Sequence, residues 1–294
     1  MVPIVFSTDH NYVMPAGVTI ASLLMNSDGL GYDIYLLISA DVTEEDKNLL
    51  VKQVDALSKN SKITFIEMGE RYSDGYEVRG ISKACYYRLM IPWLIPNIDK
   101  IIYSDVDIIF KTSLSEIFNI DIEDYCVAGS EPGNVLIWKR MEKYFNKIGI
   151  KYEEYINSGF LLINSKKQRE LNLDAQYEEL SKKKFIYQDQ DIINIACKGH
   201  IKFFDRRFNL SASAYGTKND LKDNLVIHYA GNKPWETFTY AWAQWWEIYE
   251  KTLFNDNRLY HDISAKILNP IHQFNTFRKK AGRKLQFLAS KIKF

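Results

Sequence analysis

Short apolar runs alternate with helical patterns over the first 66 residues, and few folds accept that alternation. Ile4 to Thr8 reads as a buried strand ended by Asp9, His10, Asn11 and Tyr12. A helical pattern follows, with Val18, Leu23 and Leu24 on an apolar stripe and Asn26, Asp28 and Gly29 closing it. Tyr32 to Ile38 is a second strand. Thr43-Glu44-Glu45-Asp46 reads as a capping box that opens a helix to about Leu57, and Lys62 to Ile66 is a third strand. This β-α-β-α-β order builds a mostly parallel sheet flanked by helices on both faces, an α/β fold. Ligands of such sheets sit at the carboxyl ends of the strands, where Asp9 and Asn11 lie. No Gly-x-Gly-x-x-Gly follows the first strand, which argues against a dinucleotide cofactor.

Lys100 to Lys111, KIIYSDVDIIFK, predicts a later buried strand that carries two carboxylates, Asp105 and Asp107. Residues i and i+2 of a strand share a face, so the two should project together at the surface. Held that close they repel unless a cation lies between them. An oxygen-rich pair suits Mn²⁺ or Mg²⁺, the usual companions of a diphosphate.

Further clusters adjoin predicted elements. Ser82 to Met90 reads as a helix carrying Arg88, Leu114 to Phe118 as a short helix, Tyr125 to Gly129 as a strand and Trp138 to Lys147 as a helix. Asn157-Ser158-Gly159 precedes the apolar run Phe160 to Asn164, a place for close backbone approach to a ligand. Gln188-Asp189-Gln190-Asp191 opens an apolar helix; its acids suit a helix N-terminus, and its interleaved amides could hydrogen-bond sugar hydroxyls. After a last strand, Leu225 to Ile227, come His228, Gly231 and Lys233. Imidazole is a common third ligand beside carboxylates, Gly lets backbone approach phosphates, and Lys places a positive charge against them.

Composition narrows the function classes. From Lys266 onward there are eight Lys or Arg and no Asp or Glu, so the first 265 residues carry a net charge of −7. A nucleic-acid binder would not look like this, whereas a basic tail on an acidic body expects an anionic surface. Cys85, Cys126 and Cys197 are widely spaced and odd in number, as expected of reduced, buried thiols in a cytoplasmic protein. The start lacks the pattern of a signal peptide, and no apolar stretch is long enough to span a bilayer.

Taken together, Phe-Ser-Thr-Asp-His-Asn-Tyr (6–12), Tyr-Arg-Leu (87–89), Tyr-Ser-Asp-Val-Asp (103–107), Asn-Ser-Gly-Phe-Leu-Leu-Ile-Asn (157–164), Gln-Asp-Gln-Asp (188–191) and His-Tyr-Ala-Gly-Asn-Lys-Pro-Trp (228–235) resemble the motifs of glycosyltransferase family 8, in the family's order. The resemblance covers about Pro3 to Trp246. It implies a GT-A type nucleotide-diphospho-sugar transferase fold, with a catalytic domain over residues 1–250 and a tail over 251–294. It implies that Asp105, Asp107 and His228 hold Mn²⁺ against the diphosphate of a UDP-sugar. Asp9, Asn11 and Tyr12 would contact the uridine, Val106 the donor, and Gly231 and Lys233 the phosphates. Arg88, Asn157, Asp189 and Gln190 would surround a galactose or glucose. Asp189 and Gln190 would be the catalytic pair of a retaining transfer to a saccharide acceptor, such as a lipid-linked surface glycan or lipopolysaccharide. Gln190 stands where a double displacement would need a nucleophile, so the expected route is same-face attack. Glu131 stands where many members of the family have Asp.

In the tail, Phe277, Ala281, Leu285, Leu288 and Ile292 recur at helical spacing, with Arg and Lys on the other faces. That is the pattern of an interfacial segment, here predicted to attach the chain peripherally to the inner face of a membrane. Two other classes compete. A haloacid-dehalogenase-like phosphohydrolase needs Thr or Val two residues after its second Asp, near the domain start; here position 109 is Ile and three strands come first. A catalytically silent UDP-sugar binder would not need the intact Asp105, Asp107 and His228.

Overall fold

All seven residues of the first strand, β1 (Val2–Thr8), are buried. A strand covered on both faces belongs at the centre of a sheet. It pairs in parallel with β2 (Tyr32–Ile38) on one side and β4 (Lys100–Ser104) on the other. The computed structural model describes residues 1–69, 76, 83–133, 141–215, 225–269 and 278–282. The same sheet holds β3 (Lys62–Glu67), β6 (Val127–Gly129), β7 (Phe160–Asn164) and β8 (Ile201–Phe203). The order across it is β3-β2-β1-β4-β7-β6-β8, parallel throughout except that β7 runs antiparallel to both neighbours. Alternate residues serve two cores: Ile4, Phe6, Ile34, Leu36 and Ile102 on one face, Val5, Leu37, Ile101 and Tyr103 on the other.

The run from Lys100 to Lys111 is two strands. β4 ends at Ser104, and β5 (Ile108–Phe110) belongs to a second sheet with β9 (Leu210–Ser211) and β10 (Val226–His228), in the order β5-β10-β9. The reason lies in α1 (Val13–Met25), whose every residue from Pro15 to Leu24 is buried, well beyond a single apolar stripe. Its polar residues take the backbone of the departing segment. Thr19 Oγ1 lies 2.8 Å from the Val106 carbonyl and 2.9 Å from that of Ile108, and Ser22 Oγ accepts the Phe110 N–H at 3.0 Å. The second sheet packs on an aromatic layer that includes Tyr229, Trp235, Trp245, Trp246 and Tyr249.

Two expected helices differ in detail. Lys83–Met90 is a 3₁₀ helix, and the helix expected from Trp138 begins at Glu142, with residues 134–140 outside the described set. Another helix spans Trp242–Tyr249, with Trp245 and Trp246 buried. A further helix, Asn257–Leu268, buries Ile263 in the same aromatic layer. The tail pattern lies outside the described residues apart from the turn 278–282, where Arg278, Lys279 and Lys280 are exposed.

The capping box that opens α2 (Glu44–Leu57) is present. Thr43 Oγ1 accepts the Asp46 N–H at 3.1 Å, and the Asp46 carboxylate accepts the Thr43 N–H at 2.9 Å. Burial works against the Asp46 charge, but these bonds and His10 outweigh it and hold its pKa below the ordinary value. A lowered folded-state pKa contributes stability above the unfolded carboxylate range and loses it as pH falls through the folded value. Thr43→Ala should therefore cost about 1 kcal/mol at neutral pH in urea titrations. The deficit of Asp46→Asn relative to the parent should shrink steadily as the pH is taken below the ordinary Asp range.

Candidate functional site

The switch between the two sheets places the Asp pair. Asp105 follows the last residue of β4, and its N–H donates to the Gly159 carbonyl at 2.7 Å, which draws Asn157–Gly159 alongside. Asp107 precedes β5, and its carbonyl accepts the Tyr229 N–H at 2.9 Å, which draws up the end of β10. His228 ends β10. Its Nε2 lies 3.3 Å from Asp107 Oδ1 and 3.9 Å from Asp105 Oδ2. The carboxylates thus come together where two sheets part and not by alternation along one strand. The three side chains offer ligand atoms that all lie within 4.8 Å of one another. Asp107 Oδ1 is buried with no hydrogen-bond partner, an orphan that a divalent cation would satisfy. Two carboxylates and an imidazole suit Mn²⁺ or Mg²⁺ chemically.

Cations already surround the pair. Lys233 Nζ forms an ion pair with Asp107 Oδ2. Burial raises the Asp107 pKa, but Lys233 and His228 together outweigh it and hold the carboxyl well below the usual range. Burial likewise opposes the Lys233 charge, and Asp107 more than restores it. On the other side Arg88, fully buried, reaches Asp105 at 2.8 Å and Asp189 at 3.1 Å. Its guanidinium also donates to the Ser158 carbonyl at 2.6 Å and lies over the Tyr103 ring at 4.4 Å. Desolvation works against the Arg88 charge, but Asp105 and Asp189 outweigh it and keep the group cationic.

The polar opening of the helix Gln188–Ala196 is buried throughout, more deeply than helix-dipole placement alone requires. Asp189 accepts from Ser158 Oγ at 2.9 Å, and burial, partly countered by Arg88, raises its pKa. Gln190 Oε1 accepts from Asn157 Nδ2 at 2.9 Å and from the Ser158 N–H at 3.1 Å. Asp191 faces away from the cations and accepts from the Tyr144 and Tyr155 hydroxyls and the Tyr187 N–H. Burial raises its pKa too, against those bonds.

The remaining predicted residues ring this centre. Asp9 follows β1 with Oδ1 buried and unpartnered. Asn11 is exposed, and Tyr12 stands edge-on to Trp235 at 5.9 Å, its pKa raised by burial and lowered in part by Lys233. Val106 is buried between the two aspartates, its carbonyl turned to Thr19. Gly231 has φ +128°, a conformation other residues rarely adopt, so that loop requires glycine. Glu131 lies 3.7 Å from Arg206 on an exposed rim. Asn209 went unnoticed in the sequence. Its Nδ2 donates to Asn157 Oδ1 and its Oδ1 faces His228 Nδ1, at 2.8 Å each. Nothing in Arg206-Arg207-Phe208-Asn209 marks it, because its partners are distant in the chain.

The sequence profile of glycosyl transferase family 8 matches residues 3–239. The chain belongs to glycosyltransferase family 8. Among family relatives it is 34% identical over 252 residues to a provisionally named glycosyltransferase of Haemophilus influenzae, covering 79% of this chain and 72% of that protein. It is 27% identical over 256 residues to the lipopolysaccharide glucosyltransferase WaaO of Escherichia coli K12, covering 81% and 73%. Its fold matches the galactosyltransferase LgtC, solved in complex with donor and acceptor sugar analogs, at a TM-score of 0.75 and 27% identity over 87% of this chain and 98% of that one. The fold of this family-8 transferase is thus of the GT-A type.

A Cβ at Gly159 would come within 2.3 Å of His228 Cε1 and 2.8 Å of Asp105 Oδ2. Gly159→Ala is therefore expected to fold, by circular dichroism, yet to bind Mn²⁺ about 10-fold or more weakly in electron paramagnetic resonance titrations.

Proposed function

We propose that this chain moves a hexose, galactose or glucose, from a UDP-sugar to a saccharide acceptor with retention of configuration. One observation carries the reading: Asp105, Asp107 and His228 converge between a cation, Lys233, paired with Asp107, and a cluster of polar groups, Asn157, Asp189 and Gln190, suited to sugar hydroxyls. The names of the relatives, a lipopolysaccharide glucosyltransferase and a galactosyltransferase, support the choice of sugars and a lipopolysaccharide-like acceptor. Asp105, Asp107 and His228 would hold Mn²⁺, with Mg²⁺ as the substitute. Bound there, the ion would supply Lewis-acid neutralisation of a diphosphate leaving group. Lys233 adds a second positive charge, and Gly231 leaves the backbone beside it open to phosphate oxygens. Asp9, Asn11 and Tyr12 line the nucleoside side, and Val106 lies between the two carboxylates.

Neither Gln190 nor Asp189 is disposed as a nucleophile. A carboxamide is poor at attack, and Asp189 is engaged by Arg88 and Ser158. Same-face attack follows, with a donor phosphate oxygen taking the acceptor's proton. The basic tail gives the chain a peripheral hold on the inner, anionic face of a membrane, where a lipid-linked acceptor resides. Among the described residues no helix is long and apolar enough to cross a membrane.

UDP release from a panel of UDP-sugars tests the core of this reading. One sugar should support release with Mn²⁺, none without it, and Asp107→Asn should abolish it; intact-mass analysis of quenched reactions should find no glycosyl adduct on Asp189 or Gln190. Metal-dependent UDP binding without any release would instead identify a silent binder. For the tail, deletion of Pro270 to Phe294 should strip the protein from anionic vesicles in flotation assays while leaving UDP release intact; unchanged flotation would remove the membrane role.

A further inference from the structure

The hydrogen bonds that reach His228 have a direction, and backbone amides set it. The Gly159 N–H can only donate, and it donates to Asn157 Oδ1 at 3.0 Å. The Ser158 N–H donates to Gln190 Oε1 at 3.1 Å. These two donors fix which end of each carboxamide is oxygen. Asn157 is left with its Nδ2, which donates to Gln190 Oε1 at 2.9 Å. Asn209 meets the Asn157 oxygen, so it must present Nδ2 there, at 2.8 Å. The Asn209 oxygen is then the atom that faces His228 Nδ1, also at 2.8 Å. An amide oxygen only accepts, so Nδ1 carries the ring proton. In the neutral imidazole Nε2 is the bare nitrogen, and it is aimed at Asp107 Oδ1 and Asp105 Oδ2. In that neutral form a lone pair faces a carboxylate oxygen at 3.3 Å, an arrangement that is repulsive until a cation enters.

We infer that Asn209 is a positioning residue that selects the His228 tautomer able to ligate a metal, taking its own orientation through Asn157 from the backbone at the start of β7. Asn209, His228 and Gln190 are buried and Asn157 is half-buried, so water has little access to stand in for Asn209. The same line continues through Gln190 Nε2, which donates to the Tyr155 hydroxyl at 3.2 Å. The metal side and the sugar side of the site are therefore oriented by one chain of side chains. This inference rests on the metal reading of Asp105, Asp107 and His228, and metal ligands elsewhere depend on such outer partners to a similar degree.

The test uses the full chain without nucleotide. Long-range proton–nitrogen correlation spectra of ¹⁵N-histidine protein, taken at about pH 8 where an ordinary imidazole is neutral, report the tautomer. His228 is assigned by loss of its signals in His228→Gln, and Mn²⁺ affinity is measured by electron paramagnetic resonance. The unaltered chain should show protonated Nδ1 and bare Nε2. Asn209→Leu, of similar volume, should mix or invert the tautomer and weaken Mn²⁺ binding about 10- to 100-fold. Asn209→Asp keeps an oxygen against Nδ1 while losing the donor to Asn157, and should preserve the Nδ1–H tautomer. A protonated Nε2 in the unaltered chain would overturn the inference. So would an Asn209→Leu protein with the parent's tautomer and Mn²⁺ affinity, or an Asn209→Asp protein that has lost the Nδ1–H form. The last variant decides the matter if Asn209→Leu does not fold. Should the unaltered chain bind no Mn²⁺, the metal reading falls, and the tautomers alone decide what Asn209 does.

Discussion

The buried guanidinium of Arg88 is the interaction on which the rest of the site depends. Isolated charges taken out of water cost several kcal/mol each, and the site gathers buried Asp107 and Asp189 beside half-buried Asp105. Arg88 offsets two of them at once and spends its remaining donors on the carbonyls of Cys85 and Ser158. It thereby ties a 3₁₀ helix, the end of β4, the start of β7 and the opening of the helix Gln188–Ala196 into one object. A lysine could not do this, since an ammonium lacks the planar fork and the flat face that lies on Tyr103. Asp107 is served separately, by Lys233. The two cations therefore leave the space between the carboxylates and His228 as the place where positive charge is still wanted.

Much of this was legible in the sequence, for identifiable reasons. β1, α1, β2, α2 and β3 announce themselves through apolar runs and one capping box, because those patterns are local. The break between β4 and β5 was invisible. Both halves are apolar and β-branched, and what separates them is a pair of hydroxyls, Thr19 and Ser22, more than eighty residues upstream. The candidate site residues were readable because Asp-x-Asp, Asn-Ser-Gly, Gln-Asp-Gln-Asp and His-x-x-Gly-x-Lys are dense local clusters. Asn209 was not, since its worth lies in the direction of two hydrogen bonds to residues that the fold alone brings near. Arg88 was read as a sugar contact; its burial shows a structural duty that composition could not disclose.

The antiparallel course of β7 is the other device that assembles the centre. In an all-parallel sheet only segments that leave strands gather at the carboxyl edge. Reversing one strand brings an entering segment, Asn157–Gly159, to that same edge beside Asp105. The approach is close enough that glycine is required at 159.

The parting of the two sheets has a mechanical side. Asp105 follows a strand of the seven-stranded sheet, whereas Asp107 precedes one strand of the small sheet and His228 ends another, in a sheet backed by its layer of tryptophans. The cluster straddles a seam, with α1 packed along it as a splint. Arg88 holds Asp105 on one side of that seam, and Lys233 holds Asp107 on the other. The geometry of the candidate metal centre therefore depends on how the two sheets are joined as much as on either sheet alone.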